Sequence, residues 1–216
     1  MDKQEILILL KKQRDNLLNS SLKCYKNRKK TLKLLYKNII EMKNEIFEAL
    51  KLDLNKSEVE AYMSEIGLVL SEISYMIKHC RKFAQPKRLR TSISHFHSKS
   101  YKLPCPYGVV LIMSPWNYPF MLTLEPLVDA ITAGNSVVLK PSNRSPHVTS
   151  VIDKLIKKTF SPEQVFTVLG GREETQLLLD QDFDYIFYNL YLLDKLNYTK
   201  LNLKCFPRCI IEKSFI

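Results

Sequence analysis

Four short apolar runs separated by helical segments follow Pro106, and they constrain the fold more than any other feature of the sequence. Each run is rich in β-branched or aromatic residues, as expected for a strand buried on both faces. Strands that alternate with helices predict βαβ units with right-handed crossovers and a mostly parallel sheet. The runs occupy residues 108–113, 136–139, 165–169 and 185–188.

Proline and glycine mark the limits of the helices between these runs. A helical segment over 121–132 stops at Gly134, a residue type that readily takes the left-handed conformation after a helix. Pro146 opens a second helix, which extends to about residue 160, because proline in the first turn loses no hydrogen bond. A glycine pair then precedes a third helix over 173–179. The sequence predicts an incomplete α/β fold with a Rossmann-like sheet that follows N-terminal helices.

The first hundred residues have the apolar periodicity of helices. Ser57 and Glu60 have the spacing of a capping box at the start of a helix, and Pro86 ends that helix. An antiparallel helical pair is the simplest product, and residues 89–103 then predict an extended hairpin or arm. The first helix carries Leu32, Leu35, Tyr36, Ile39, Ile46, Phe47 and Leu50, and the second carries Tyr62, Ile66, Val69, Leu70, Ile73, Ile77 and Cys80.

The net charge of +11 lies almost entirely in the first half of the chain. Residues 1–100 hold 21 lysines and arginines against 11 carboxylates. Such an excess can attract nucleic acid or an anionic surface. No aromatic stacking platform and no nucleic-acid fold signature accompanies it, so a solvated helical surface is favoured over a nucleic-acid partner.

Five cysteines predict neither a disulfide framework nor a metal site, because their number is odd and the closest pair is spaced C-x3-C. The apolar stretch at 6–10 is too short for a signal peptide or a transmembrane segment, so we expect reduced thiols and a cytoplasmic location. The cysteines are Cys24, Cys80, Cys105, Cys205 and Cys209.

Two polar loops follow the first two predicted strands, at residues 114–119 and 140–143. Ligands of open parallel sheets bind beyond the carboxyl ends of the strands. Lys140 is placed there to reach ribose hydroxyls or phosphate oxygens, and the amide of Asn117 could donate to a developing oxyanion. The alternative is structural, with Trp116 and the prolines as packing residues and Lys140 as a surface charge.

The segment GVVLIMSPWNYPFMLTLEPLVDAITAGNSVVLKPSNRSP resembles the nucleotide-binding domain of the aldehyde dehydrogenase superfamily, and is most similar to its class-3-like branch. PWNYP, the AGN turn and VVLKPS in this order are highly specific. The resemblance extends back through EALKLDLNKSEVEAYMSEIGLVLSEI and forward through VFTVLGGREETQLLLDQDFDYIFY, and covers roughly residues 15–188.

This resemblance implies an enzyme that oxidises aldehydes to carboxylic acids with NAD or NADP. In the family a cysteine attacks the aldehyde, the adduct gives hydride to the nicotinamide, and water releases the acid. Asn117 matches the asparagine that holds the oxyanion. The cofactor-binding positions that match are Met113, Ser114, Pro115 and Trp116, which line the dinucleotide, Lys140, which contacts the ribose, and Pro141 and Ser142, which continue its loop.

The chain departs from the family at the third position after that lysine, where Asn143 replaces a frequent glutamate. A carboxylate there grips ribose hydroxyls and repels a 2′-phosphate, so asparagine could loosen a preference for NAD. A neutral substitution without effect on binding is the equal alternative.

Larger departures follow residue 188. All five glycines lie at or before Gly171, so the family's Gly-rich pyrophosphate turn is missing, and we expect weak or absent NAD or NADP binding by this chain. The LELGG and GQxC contexts of the general base and the nucleophile are missing too, and neither Cys205 nor Cys209 has a matching context. A frameshift or premature stop is our hypothesis for the change.

The expected organisation is therefore an N-terminal helical region and arm at 1–105, a partial nucleotide-binding α/β domain at 106–188, and a divergent tail at 189–216. By resemblance the function is aldehyde dehydrogenase, with this truncated chain expected to be inactive. The alternative is a non-catalytic interaction fragment whose basic half binds a partner protein or an anionic surface. The substrate partner is an aldehyde, and a homo-oligomer is left open.

Overall fold

The computed structural model describes residues 3–16, 21–92, 94, 97–189 and 209–212, with the backbone alone for residues 189 and 209–212. The predicted α/β architecture is confirmed over these residues. Helices fill the N-terminal part, a two-stranded hairpin follows, and a parallel sheet with flanking helices occupies the remainder.

The described residues of the N-terminal part form five α-helices. One predicted apolar stripe belongs to two of them, because Met42 interrupts the helix that we expected to be continuous. Asn55, with a φ of 54°, ends the second of these helices in the left-handed conformation, later than the break predicted from residue 52. The helices are α1 (Lys3–Asn16), α2 (Tyr25–Glu41), α3 (Lys43–Leu54), α4 (Glu58–Ala61) and α5 (Gly67–Ala84), with a 3-10 turn at Ser21–Lys23 and a π-helical turn at Tyr62–Ile66.

The predicted end of the helix before Pro86 and the Ser57 half of the predicted capping box are confirmed. The hydroxyl of Ser57 accepts a hydrogen bond from the backbone N–H of Glu60 at 3.2 Å, which is one half of the predicted capping box. The helix before Pro86 ends at Ala84. The predicted arm is an antiparallel hairpin of β1 (Lys87–Leu89) and β2 (Ser100–Lys102), in which Lys87 pairs with Lys102.

The parallel sheet has the strand order β5-β4-β3-β6-β7, so β3 lies at its centre. Four of these strands are the apolar runs of the sequence, and the crossover helices between them begin and end within about two residues of the predicted positions. The elements are β3 (Val109–Met113), α6 (Met121–Ala133), β4 (Ser136–Lys140), α7 (Pro146–Thr159), β5 (Val165–Thr167), α8 (Arg172–Leu179), β6 (Tyr185–Asn189) and β7 (Cys209–Glu212).

The last strand was not predicted. Strand β7 pairs parallel with β6, with Phe187 opposite Ile210 and Tyr188 opposite Ile211. Two adjacent isoleucines are too short a run to predict a strand in a segment without turn signals, and only the free edge of β6 provides the partner. The sheet therefore extends into the region that we assigned to the divergent tail.

The two faces of the sheet pack against different helices. On one face Val110, Ile112 and their neighbours form a large core with helices α2, α3, α5, α6 and α7. On the other face Val109, Leu111 and Val138 pack against α1 and α8. The amide of Gln13 in α1 is buried and donates to the carbonyl of Val137 in β4 at 3.1 Å, so α1 is fixed directly to the sheet.

We expect Ile6→Ala to lower the free energy of unfolding by about 2–5 kcal/mol, because a buried isoleucine loses its contacts and leaves a cavity. Ile6 is 1% exposed within the core formed with α8. Ile8 on the same helix is 55% exposed, so Ile8→Ala is the matched control and should change stability by less than about 0.5 kcal/mol. Urea unfolding measures both values, and equal losses would show that α1 is not packed as described.

Candidate functional site

The parallel register of β3 and β4 brings the two predicted loops together. Met113, the last residue of β3, pairs with Lys140, the last residue of β4. Immediately beyond this pair, the backbone N–H of Ser114 donates to the carbonyl of Lys140 at 3.3 Å. Loops 114–119 and 140–143 therefore leave the same edge of the sheet side by side, as the sequence predicted.

The first loop is fixed to the beginning of α6 by a chain of hydroxyl groups. The hydroxyl of Thr123 donates to the carbonyl of Pro119 at 2.6 Å. Since its hydrogen is used there, Thr123 accepts from the hydroxyl of Ser114, whose oxygen is 2.5 Å away. Pro115 and Pro119 are buried. The loop therefore closes on itself and places Trp116 and Asn117, both half-buried, at its tip.

The side-chain oxygen of Asn117 is buried and has no hydrogen-bond partner among the described residues. A buried amide group usually finds such a partner, because leaving one unmade costs free energy. The fold therefore leaves this acceptor unused at the loop tip. The oxyanion role predicted for Asn117 needs the other end of the amide, its N–H donor, and stays a prediction.

Lys140 is buried, being only 5% exposed, so the alternative that made it a surface charge is wrong. Its ammonium group donates to the carbonyls of Gly170 at 2.8 Å and Pro141 at 3.3 Å. Burial lowers the pKa of Lys140, and the nearby carboxylate of Glu174 opposes that shift. The lysine is thus a directed hydrogen-bond donor whose position the backbone sets.

The remaining residues of the second loop have different surroundings. The hydroxyl of Ser142 accepts from the backbone N–H of Arg144 at 3.2 Å, and the carbonyl of Ser142 accepts from Thr149 at 2.9 Å. Pro141 is buried and Asn143 is exposed. The loop is therefore tied to the first turn of α7, with Asn143 facing outward from it.

Gly170 and Gly171, the pair after β5, belong to the site, although the sequence predicted only a turn there. Its first member supplies the carbonyl that holds Lys140. Gly171 lies so close to Asn143 that a Cβ atom there would be 3.4 Å from the side-chain nitrogen of Asn143. The signal that could have found this pair is strand order, because a βαβ crossover places the loop after β5 beside the loop after β4.

Glu174 completes the cluster at the beginning of α8. Its carboxylate accepts from the backbone N–H of Gly171 at 2.7 Å. The backbone amides of Glu174 itself and of Gly171 lower the pKa of Glu174. A negative charge at this helix start also offsets the ammonium charge of Lys140.

No group of three or more histidine, cysteine or carboxylate side chains suited to a metal ion occurs among the described residues.

The family model of the aldehyde dehydrogenases, described as "Aldehyde dehydrogenase family", matches residues 10–187. This chain belongs to the aldehyde dehydrogenase family. The match includes both loops and strands β3, β4 and β5, and it ends one residue before the limit that we predicted from the resemblance.

Relatives of known sequence place this aldehyde dehydrogenase chain near family 3, the predicted branch. It is 45% identical over 161 residues to the 4,4'-diaponeurosporen-aldehyde dehydrogenase of Staphylococcus aureus, covering 74% of this chain and 35% of that protein. It is 37% identical to aldehyde dehydrogenase family 3 member I1 of Arabidopsis thaliana, covering 86% of this chain and 34% of that protein. The chain thus spans about a third of the length of these relatives.

Solved structures of the family have the same fold. The substrate-bound AldH of Staphylococcus aureus matches with a TM-score of 0.85 and 39% identity, over 90% of this chain and 43% of that one. The NAD+ complex of an aldehyde dehydrogenase from Bacillus cereus matches with a TM-score of 0.78, over 91% of this chain and 40% of that one. At 20% identity the second match supports the fold alone.

We expect Glu174→Gln to destabilise the chain at neutral pH by less than about 1 kcal/mol, the range for a charge at an exposed helix start. Because folding lowers the pKa of Glu174, its contribution is present above the ordinary carboxyl pKa and is lost as the pH falls through the lowered folded value. Denaturation between pH 7 and pH 2 measures this. Exposed Glu173→Gln is the control, and an equal loss there would contradict a specific role for Glu174.

Proposed function

We propose that this chain provides the nucleotide-binding and oxyanion-holding part of an NAD(P)-dependent aldehyde dehydrogenase, which oxidises aldehydes to carboxylic acids. The observation that carries the proposal is the meeting of two loops at one sheet edge, one beginning with the buried Lys140 and the other bearing Asn117 at its tip. Because the chain spans about a third of its relatives, the activity is proposed for the whole protein.

The residues at this edge fit a nicotinamide dinucleotide. The ammonium group of Lys140 has three N–H bonds, and its two carbonyl acceptors use two of them. The third suits a ribose hydroxyl. Members of the same fold have been solved with NAD+ and with NADP+, and membership of the family is the ground for proposing this class of cofactor. The residues proposed to hold it are Met113, Ser114, Pro115, Trp116, Lys140, Pro141, Ser142 and Asn143.

Asn143 is proposed to leave the choice between NAD and NADP open. Its side chain is exposed and neutral, so it presents no carboxylate to repel a 2′-phosphate. An amide can also hydrogen-bond to either a hydroxyl or a phosphate oxygen. Comparable affinity for the two cofactors is the consequence.

We propose that this chain contributes to catalysis by stabilising the negative charge that develops on the aldehyde oxygen. A nicotinamide held by these residues would supply the acceptor for the hydride of the aldehyde carbon. Asn117 donates its side-chain N–H to the oxygen of that carbon when it becomes negatively charged, and so lowers the energy of the adduct. Its position at the tip of an anchored loop fixes the direction of this donor. The nucleophile and the general base belong to the part of the family sequence that this chain does not contain.

The proposal predicts that the purified chain forms no NADH or NADPH with a panel of aldehydes. The reason is that the GQxC and LELGG contexts of the family are absent from the sequence. Absorbance at the wavelength of the reduced cofactor measures turnover, and circular dichroism verifies the fold. Turnover that Asn117→Ala abolishes would contradict this account, and would make Cys205 or Cys209 the candidate nucleophile; Cys205 lies outside the described residues.

A chimera tests the proposed role directly. Residues 10–187 of this chain would replace the matching segment of the Staphylococcus aureus relative, which supplies the remainder of the enzyme. We expect the chimera to oxidise aldehydes, and Asn117→Ala to lower its kcat about 100-fold to 1,000-fold, as for loss of one oxyanion donor. Asn44→Ala, at an exposed position of α3, is the control. An active chimera that is indifferent to Asn117→Ala would refute the oxyanion role.

A further inference from the structure

The π-helical turn between α4 and α5 directs a carboxylate into the interior. Glu65 lies in this turn and is fully buried. A π-helical turn adds one residue to a helical turn and so changes the direction of the side chains that follow, and such turns are frequent at functional positions. Glu65 points towards the beginning of α6, the helix that follows the loop of Asn117.

Each oxygen of the Glu65 carboxylate has its own partners. One, Oε1, lies 2.6 Å from the ammonium nitrogen of Lys56, which is 8% exposed. The other, Oε2, accepts from the backbone N–H groups of Phe120 at 2.8 Å and Met121 at 3.3 Å. These amides begin α6 and have no acceptor within the helix, so Glu65 caps α6 from a distant part of the chain.

Lys56 contacts the loop as well. Its ammonium nitrogen lies 4.2 Å from the centre of the Tyr118 ring, a cation–π contact. The ion pair therefore holds the loop at the ring of Tyr118 and at the amide of Phe120. Hydroxyl groups tie the start of the loop to α6, so Asn117 lies between two anchored points.

A buried ion pair is a costly means of holding a fold together. Two charges must leave water, and apolar residues of similar volume often give equal or greater stability. Burial raises the pKa of Glu65 above its ordinary value. The ammonium of Lys56 and the amides of Met121 and Phe120 offset only part of that rise. Apolar residues could not reproduce these directed contacts. The amides of Phe120 and Met121 need a hydrogen-bond acceptor, and the cation–π contact with the ring of Tyr118 needs a cation.

We propose that Glu65 and Lys56 are positioning residues, which fix loop 114–119 and thereby set the direction in which Asn117 presents its amide. The consequence for an oxyanion rests on the proposed function. The anchoring of the loop does not, since it follows from contacts within this chain.

Trp116, the sole tryptophan of the chain, lies in this loop and reports on its order. The full chain of 216 residues would be prepared with Glu65→Leu, with Lys56→Met, and with both changes together. Exposed Glu60→Leu and Lys51→Met are the matched controls. Acrylamide quenching of Trp116 fluorescence and hydrogen exchange at the amides of Phe120 and Met121 are the two measurements, and urea unfolding gives stability.

Glu65→Leu removes the acceptor of the two amides and is expected to speed their exchange at least about tenfold. Each single change is expected to raise the quenching constant of Trp116 roughly twofold or more, because one of the contacts that hold the loop is lost. The controls should change neither. The double variant removes both buried charges, so it should recover most of the stability lost by the single variants while quenching and exchange stay high. A double variant that regains stability while its loop stays less ordered is the result expected if the two residues position the loop.

Two results would overturn the proposal. One is unchanged quenching and exchange in single variants that remain folded by circular dichroism. The other is a double variant that restores stability and loop order together, because the pair would then serve the fold alone. If a single variant does not fold, the double variant still decides between these outcomes. An active chimera indifferent to Asn117→Ala would refute the oxyanion role without affecting these measurements.

Discussion

The pairing of β3 on both of its sides is the constraint on which the rest of the structure depends. This strand is buried along its whole length, between β4 and β6. Its alternate residues contribute to the two cores that hold the helices on either face. Its register with β4 also places Met113 opposite Lys140, so that both loops of the site leave the sheet together. Stability and site geometry thus depend on the same pairing.

Two buried lysines contact the loops of the site. Lys140 and Lys56 are both buried, and Lys140 is bonded to the carbonyl of Gly170 while Lys56 is bonded to the carboxylate of Glu65. An isolated buried ammonium would be very unfavourable, whereas these two are satisfied by a carbonyl or a carboxylate. Lys140 begins one loop of the site, and Lys56 contacts Tyr118 in the other. The interior polar groups therefore specify loop conformation more than they add stability.

Patterns that are local in the chain were predictable, and contacts between distant segments were not. Four strands and their helices could be located because buried apolar runs, glycine and proline mark them. The break at Met42 carries no such signal. Lys56 and Glu65 look like ordinary charges in a helical region, and only tertiary packing buries them together. The loops could be predicted to meet, since parallel strands share an edge. The βαβ crossover rule could have placed the loop of Gly170 beside Lys140, but the hydrogen bond that buries the ammonium group is a contact between side chain and backbone that no sequence pattern indicates.

The place of α1 has a consequence for synthesis of the chain. This first helix packs against α8 and donates a hydrogen bond from Gln13 to β4, across 124 positions of sequence. A ribosome adds about 5–20 residues each second, so α1 emerges roughly 10–35 s before α8 exists to receive it. During that interval Ile6 and Leu10 have no core to enter. Helix α1 is therefore made long before some of the residues that bury it, and its apolar side chains are exposed to chaperones or to other nascent chains until then.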